Sequence, residues 1–167
     1  INKIQRNTRG IKIFYGGENE FFNYDKVVIA THADEALKLI EKPTIEELRI
    51  LKNFKYRENM AIIHTDESFM PTNRKAWCSW NSNMHVENND KTSVTYWLNQ
   101  LQNLKINKNI FLTLNPFSKI SENKILKKIK FTHPYFDKQA LDHQKELQLI
   151  QNKENILFCG SYFGYGF

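Results

Sequence analysis

Two short runs limit what this chain can fold into more than any other feature: "VVIA", Val27 to Ala30, and "ILFC", Ile156 to Cys159. Neither alternates apolar with polar residues. A strand with one wet face must alternate, because successive side chains point to opposite faces. An unbroken apolar strand reads as buried on both faces, as in a parallel sheet. The two runs bracket most of the chain. If they are parallel neighbours in one sheet, residues 35–155 form a large excursion between them. A βαβ crossover needs only about a dozen residues, so the pattern is that of a domain inserted into an α/β sheet. The second run continues as "GSYFGYGF", Gly160 to Phe167. An apolar run that meets glycine marks a strand entering a tight turn, where backbone comes close to something else. Natural C-termini are more often polar and frayed, so this end is expected to fall inside a binding loop.

Between the runs the pattern changes repeatedly, and no internal repeat is evident. "IQRNTRGIKIFYGGENEFFNYDK" reads as a β-meander, with Ile11, Ile13 and Tyr15 on one side of a strand and Gly16-Gly17 at a turn. After Thr31 the spacing to Asp34 predicts a helix opening at His32 or Ala33, with Ala33, Ala36, Leu37 and Ile40 on one face. Thr44 and Glu47 form a fuller capping box for a second helix, striped by Leu48, Leu51 and Phe54. "MAIIHTD", "AWCSWN", "SVTYWL" and "NIFLTLNP" read as mostly antiparallel strands. A last helix is expected over about 138–151, burying Leu141, Leu147 and Ile150.

The 167 residues can bury a sizeable core, and 41% apolar with 13% aromatic content argues against disorder. The net charge of +6 raises nucleic acid as a partner. That partner is not expected. Lysine carries most of the positive charge, the lysines are dispersed, and only five arginines occur (Arg6, Arg9, Arg49, Arg57 and Arg74). Lys, Asn and Ile are abundant together, as in chains encoded by AT-rich genomes. The densest cluster, "KILKKIKF" from Lys124 to Phe131, reads as a solvated strand or helix face rather than a phosphate-tracking groove. Cys78 and Cys159 have no CxxC spacing, so reduced thiols and a cytoplasmic location are expected. Residues 1–9 have no apolar signal-peptide core, and no apolar run is long enough to span a membrane.

The blocks "VVIATHADEALKLI", "HTDESFMPTNRKAWCSWN", "VTYWLNQLQNL", "FLTLNP" and "ILFCGSYFGYGF" together resemble the C-terminal half of bacterial flavin-containing amine oxidoreductases, more narrowly a predicted NAD/FAD-binding oxidoreductase branch. The likeness runs from the meander to Phe167. It implies an α+β chain: a mostly antiparallel substrate-domain sheet with helices over 35–151, plus the meander and two parallel strands of an FAD/NAD(P)-binding-type domain over 1–34 and 152–167. It implies FAD as cofactor and a small-molecule substrate. Such proteins begin with a GxGxxG strand-turn-helix and continue past "GYGF" with a His-Glu-Asp-Gly type segment. This sequence contains neither, so it reads as an internal or C-terminal piece, expected not to retain FAD when isolated. By the same resemblance Ala30, Thr31 and His32 lie at the carboxyl end of a strand near the dinucleotide. Gly160 and Ser161 meet its ribityl–pyrophosphate region, and Gly164 and Gly166 pass the flavin ring. Replacing Gly160 with Val is then expected to weaken FAD retention more than folding. The alternative is a non-catalytic binding or scaffold module of similar fold that has lost its cofactor.

Flavin enzymes leave the hard chemistry to the cofactor, and the protein supplies orientation and a dry pocket. Trp77, Trp80, Tyr96 and Trp97 are therefore candidate substrate-lining rings. Alternation places Trp77 and Trp80 on opposite sides of a strand, and likewise Tyr96 and Trp97, so about half belong to the core. Among His32, His64, His85, His133 and His143 no HExxH or paired Cys/His spacing exists, which argues against zinc. "His64-Thr65-Asp66" suggests a base pair at first sight, but a satisfied structural histidine or a cavity polar group is the better reading. Cys78 reads as a small buried thiol rather than a nucleophile. Asn81, Asn99 and Asn115 are expected to tie down turns. No catalytic residue is assigned.

Overall fold

Alternation builds the first element as expected. Strands β1 (Lys3–Asn7), β2 (Gly10–Phe14) and β3 (Phe21–Tyr24) form an antiparallel meander, with Ile4 opposite Ile13 and Ile11 opposite Tyr24. Ile11 is fully buried, whereas Tyr15 stays exposed and stacks on Phe22 at 4.7 Å. The structure, a computed structural model, describes residues 1–17, 20–84 and 92–164. The chain divides into two units, residues 1–57 with 134–167, and residues 58–133.

In the first unit, β4 (Val27–Ile29) and β10 (Ile156–Phe158) are parallel neighbours, with Ile156 opposite Val27 and Phe158 opposite Ile29. The expected pairing of the two apolar runs is met. Their expected double burial is not: Val28 is 62% exposed between Val27 and Ile29, which are both buried. Among the described residues two strands form this sheet, and the core lies against one of its faces.

Helix α1 (Ala33–Leu39) starts where expected, but its cap sits one residue later than Thr31 and Asp34 suggested. His32 is the N-cap, and its N–H donates to the Glu35 carboxylate at 3.3 Å. Helix α2 (Ile45–Leu51) has the predicted capping box. Glu47 N–H donates to Thr44 Oγ1 at 3.1 Å, and Thr44 N–H donates to Glu47 Oε2 at 2.8 Å. Its buried face is Glu47, Ile50, Leu51 and Phe54, not Leu48, which is 51% exposed. Helix α4 (Lys138–Gln144) stops short, and a separate 3₁₀ turn over Leu147–Ile150 follows. The break lets Ala140, Leu147 and Ile150 face the core while Leu141 points outward. These apolar groups join Ile4, Ile11, Val27, Ile29, Ile156 and Phe158 in one core.

The second unit is a five-stranded sheet in the order β6-β7-β8-β5-β9: β5 (Lys55–His64), β6 (Trp80–Met84), β7 (Thr92–Trp97), β8 (Phe111–Leu114) and β9 (Ile125–Tyr135). Helix α3 (Leu98–Leu101) leads out of β7. The lysine-rich cluster forms the edge strand β9. There Lys128 pairs with Glu122 at 3.0 Å and Lys130 with Glu58 at 3.5 Å. Asn115, at φ 49°, accepts from Met60 N–H at 3.0 Å, and Asn99 accepts from Ile110 N–H at 2.7 Å. These asparagines hold turns, as expected of short amides. No helix among the described residues is long and apolar enough to cross a membrane.

Candidate functional site

The candidate site of the first unit is set by strand direction. Because β4 and β10 run parallel, their carboxyl ends open on the same side, where open α/β sheets take ligands. The segment Ala30, Thr31 and His32 leaves β4, and Cys159, Gly160 and Ser161 leave β10. The ladder carries on one step past the strands, as Cys159 N–H donates to Ile29 O at 3.0 Å. Gly160 has φ +150°, and a Cβ built on it would lie 3.5 Å from the Thr31 carbonyl oxygen and 2.9 Å from Cε1 of Tyr162. The two loops therefore meet. Thr31 Oγ1 donates back to His32 O at 3.1 Å. Gly164 is clamped by Gln144, whose Nε2 donates to its carbonyl at 2.6 Å, yet its Cα faces open space. Gly166 lies outside the described residues.

Two tyrosines stand beside these loops, and neither was singled out from the sequence. Tyr56, near the start of β5, stacks on His32 at 4.1 Å, and its hydroxyl accepts from Ala33 N–H at 2.7 Å. Burial pushes its phenol up to about 12, over the opposing pull of the Ala33 N–H. Tyr162 is 1% exposed and packs on Phe54 and Phe163. Burial drives its phenol far upward, with Tyr56 and Cys159 adding to the effect. Its hydroxyl has no hydrogen-bond partner among the described residues. The only advance signal was position: Tyr162 follows Gly160 in the glycine–aromatic ending, two residues past the strand's turn.

The second unit holds a buried polar line. Thr113 and Thr95 are cross-strand partners in β8 and β7, with their hydroxyls 2.9 Å apart. His64 Nε2 lies 2.8 Å from Thr113 Oγ1, and His64 Nδ1 accepts from Asp66 N–H at 3.1 Å. Nδ1 is thus the acceptor, which places the proton on Nε2 as donor to Thr113. Burial lowers the imidazole to about 4, with Asp66 opposing and Lys124 assisting. Burial also works to raise Asp66. Hydrogen bonds from Lys124 Nζ, at 3.0 Å, and from Ser68 outweigh it, so its carboxyl stays below the ordinary range. A carboxylate held this way is a poor base, and His64 does not reach Ser68, so the arrangement is no nucleophile–base–orienter set. His64 is the satisfied histidine that was expected.

The four candidate rings separate by face. Trp97 and Phe111 are partners on the His64 face, and Trp77 meets both edge-on, at 5.3 and 5.8 Å. Trp80 stacks on its cross-strand partner Tyr96 at 5.8 Å on the opposite face. The sheet does not bring the four together. A cavity of about 290 Å³ in this unit is instead lined by Ser68, Phe69, Met70, Asn83, Ser93 and Phe117 among others. Ser93, polar at an inward position of β7, was its sequence signal. Cys78 and Cys159 are both exposed thiols, so Cys78 is not the buried residue expected. Among the described residues no three His, Cys, Asp or Glu side chains converge as a metal site would need.

No family model matches the chain, and no curated protein sequence does. Among solved structures it is similar to a fatty acid isomerase of P. acnes that produces CLA, with 11% identity and a TM-score of 0.59. That likeness, which is one of fold, covers 95% of this chain and 41% of the isomerase chain. The present sequence therefore spans about two fifths of the length of the protein it resembles.

Proposed function

We propose that this chain is part of an FAD-dependent oxidoreductase of the amine-oxidase-like type. Its first unit would contribute part of the flavin site, and its second the walls of a small-molecule site. The observation that carries the reading is the parallel pairing of β4 with β10, which brings Thr31 and Gly160 to one crevice at the strands' carboxyl ends. Several features of that crevice suit a group rich in phosphate and hydroxyl oxygens: the meeting loops, the open side of Gly164 and an unpartnered buried hydroxyl. When bound, FAD would supply the hydride chemistry. Ala30, Thr31, His32, Gly160, Ser161 and Gly164 would then hold and orient it, with Gly166 as a further candidate. The fold likeness to a longer enzyme is in keeping with this. The test is to express the whole reading frame that contains these residues and record its absorbance. A flavin spectrum that bleaches with a reducing substrate is expected. A colourless product that gains no flavin on incubation with FAD overturns the reading in favour of a binding module.

A further inference from the structure

The crevice between the two loops contains a group that the fold itself leaves unused. Tyr162 is held by its ring, against Phe54 at 5.2 Å and Phe163 at 4.9 Å, and by its backbone, whose carbonyl accepts from Gln144 at 3.0 Å. The same ring fills the space beside Gly160 that any other residue's Cβ would occupy. The glycine thus serves to seat this tyrosine between the loops. Its hydroxyl is within electrostatic reach of Tyr56 and Cys159 and has no hydrogen-bond partner among the described residues. A phenylalanine would fill the same space without leaving a buried donor unmade, and buried polar groups are otherwise nearly always paired. The Tyr56 hydroxyl already accepts from Ala33 N–H, which leaves its own proton to donate.

We propose that Tyr162, seconded by Tyr56, is a ligand-binding donor: its hydroxyl hydrogen-bonds an acceptor oxygen of a phosphate- or ribityl-bearing ligand lodged between the loops that follow β4 and β10. This rests on the cofactor reading above and adds two residues to it. The hydroxyl is closed off in this conformation, so entry requires the segment 160–164 to shift. Among the described residues that segment is tied by Phe163 N–H to Gly160 O at 3.0 Å, by Gly164 N–H to Ser161 O at 3.3 Å, and by Gln144 Nε2 to the carbonyls of Tyr162 and Gly164.

The test compares the product of the whole reading frame that contains these residues with its Tyr162→Phe variant by thermal unfolding, without ligand and over a titration of FAD or of inorganic phosphate. Without ligand the variant is expected to melt about 2–4 °C higher, since a buried unsatisfied hydroxyl is gone. FAD is expected to stabilise the wild type and to bind the variant about tenfold more weakly. A variant that melts lower without ligand shows the hydroxyl already satisfied and overturns the proposal. Equal FAD affinity in both proteins overturns it while leaving the cofactor reading standing. A wild-type shift with phosphate alone, lost in the variant, supports the donor role and overturns FAD as its ligand. A wild type that neither probe stabilises overturns both readings.

Discussion

At the scale of single residues, Gly160 and His64 carry the sharpest consequences for stability. The sequence pointed to Gly160 as a backbone cleared for a cofactor. The space that a Cβ would need there is taken by the chain's own Tyr162, at a φ of +150° that L side chains rarely adopt. Gly160→Val should therefore cost stability directly, about 1–3 kcal/mol from backbone strain alone, contrary to the expectation that folding would be spared. Thermal unfolding of the variant against wild type without ligand checks this, and an unchanged midpoint would refute it. His64 makes the second case. Its folded-state value is depressed, to about 4 from 6.5, so the neutral ring is what the fold accepts. The stability this contributes is complete above pH 6.5. It falls as the pH drops towards 4, because the unfolded chain takes up the proton first, at about 1.4 kcal/mol per pH unit. Asp66, also depressed, pushes in the same direction at lower pH. His64→Gln should lower stability at neutral pH yet flatten the slope between pH 6 and 4. Equal slopes in the two proteins would show that His64 is not the titrating group.

At the scale of elements, α2 shows which signals survive into the fold. Its capping box could be read because both partners lie within one turn and the geometry is local. Its buried face could not, because the deciding partner comes from β1. Glu47 is fully buried, and Arg6 forms an ion pair with it while also donating to Lys42 O at 2.8 Å. A charge takes an inward position that a hydrophobic stripe would assign to Leu48, and no periodicity within the helix announces that. Removing the partner should expose the cost. Arg6→Ala leaves a buried carboxylate unpaired and should destabilise by about 3–5 kcal/mol, read from denaturant midpoints. Arg6→Ala combined with Glu47→Gln should recover part of this, and a double variant no better than the single would argue against the ion pair. The four aromatic candidates divide between the two faces of the sheet, as alternation implied. Alternation told which rings oppose each other along a strand, but register alone decides that Trp80 meets Tyr96 while Trp97 meets Phe111. The positions of Ala30, Thr31, His32, Gly160 and Ser161 just past two strand ends were legible because strand ends and glycines punctuate sequence. Tyr56 and Tyr162 were not, since a buried tyrosine looks alike in sequence whether or not its hydroxyl is paired.

At the scale of the whole molecule, the unit formed by residues 58–133 is continuous in sequence, and the other is assembled from two distant pieces. The chain leaves the split unit along β5 and returns along β9, its neighbour in the sheet, and Arg57 lies over the Tyr135 ring at 3.5 Å. The exit and return points are thus close enough for a short link. Joining Arg57 to Pro134 through an Asn-Gly turn should leave a protein that keeps the core around Ile11, Ile50 and Ile156 and unfolds cooperatively. A non-cooperative melt would show that the split unit depends on the segment removed. The parallel pair has a further consequence, for the order of events on the ribosome. Strand β4 is synthesised well before β10, its partner among the described residues, and residues 58–133 are made in between. Until then Val27, Val28 and Ile29 wait without β10, while the intervening sheet can close on itself from strands made in the interval. Nascent chains stalled before Ile156 should accordingly protect residues 58–133 from protease while leaving β4 open to chaperones. The contact between the loops that follow β4 and β10 then waits on a sheet that folds without it.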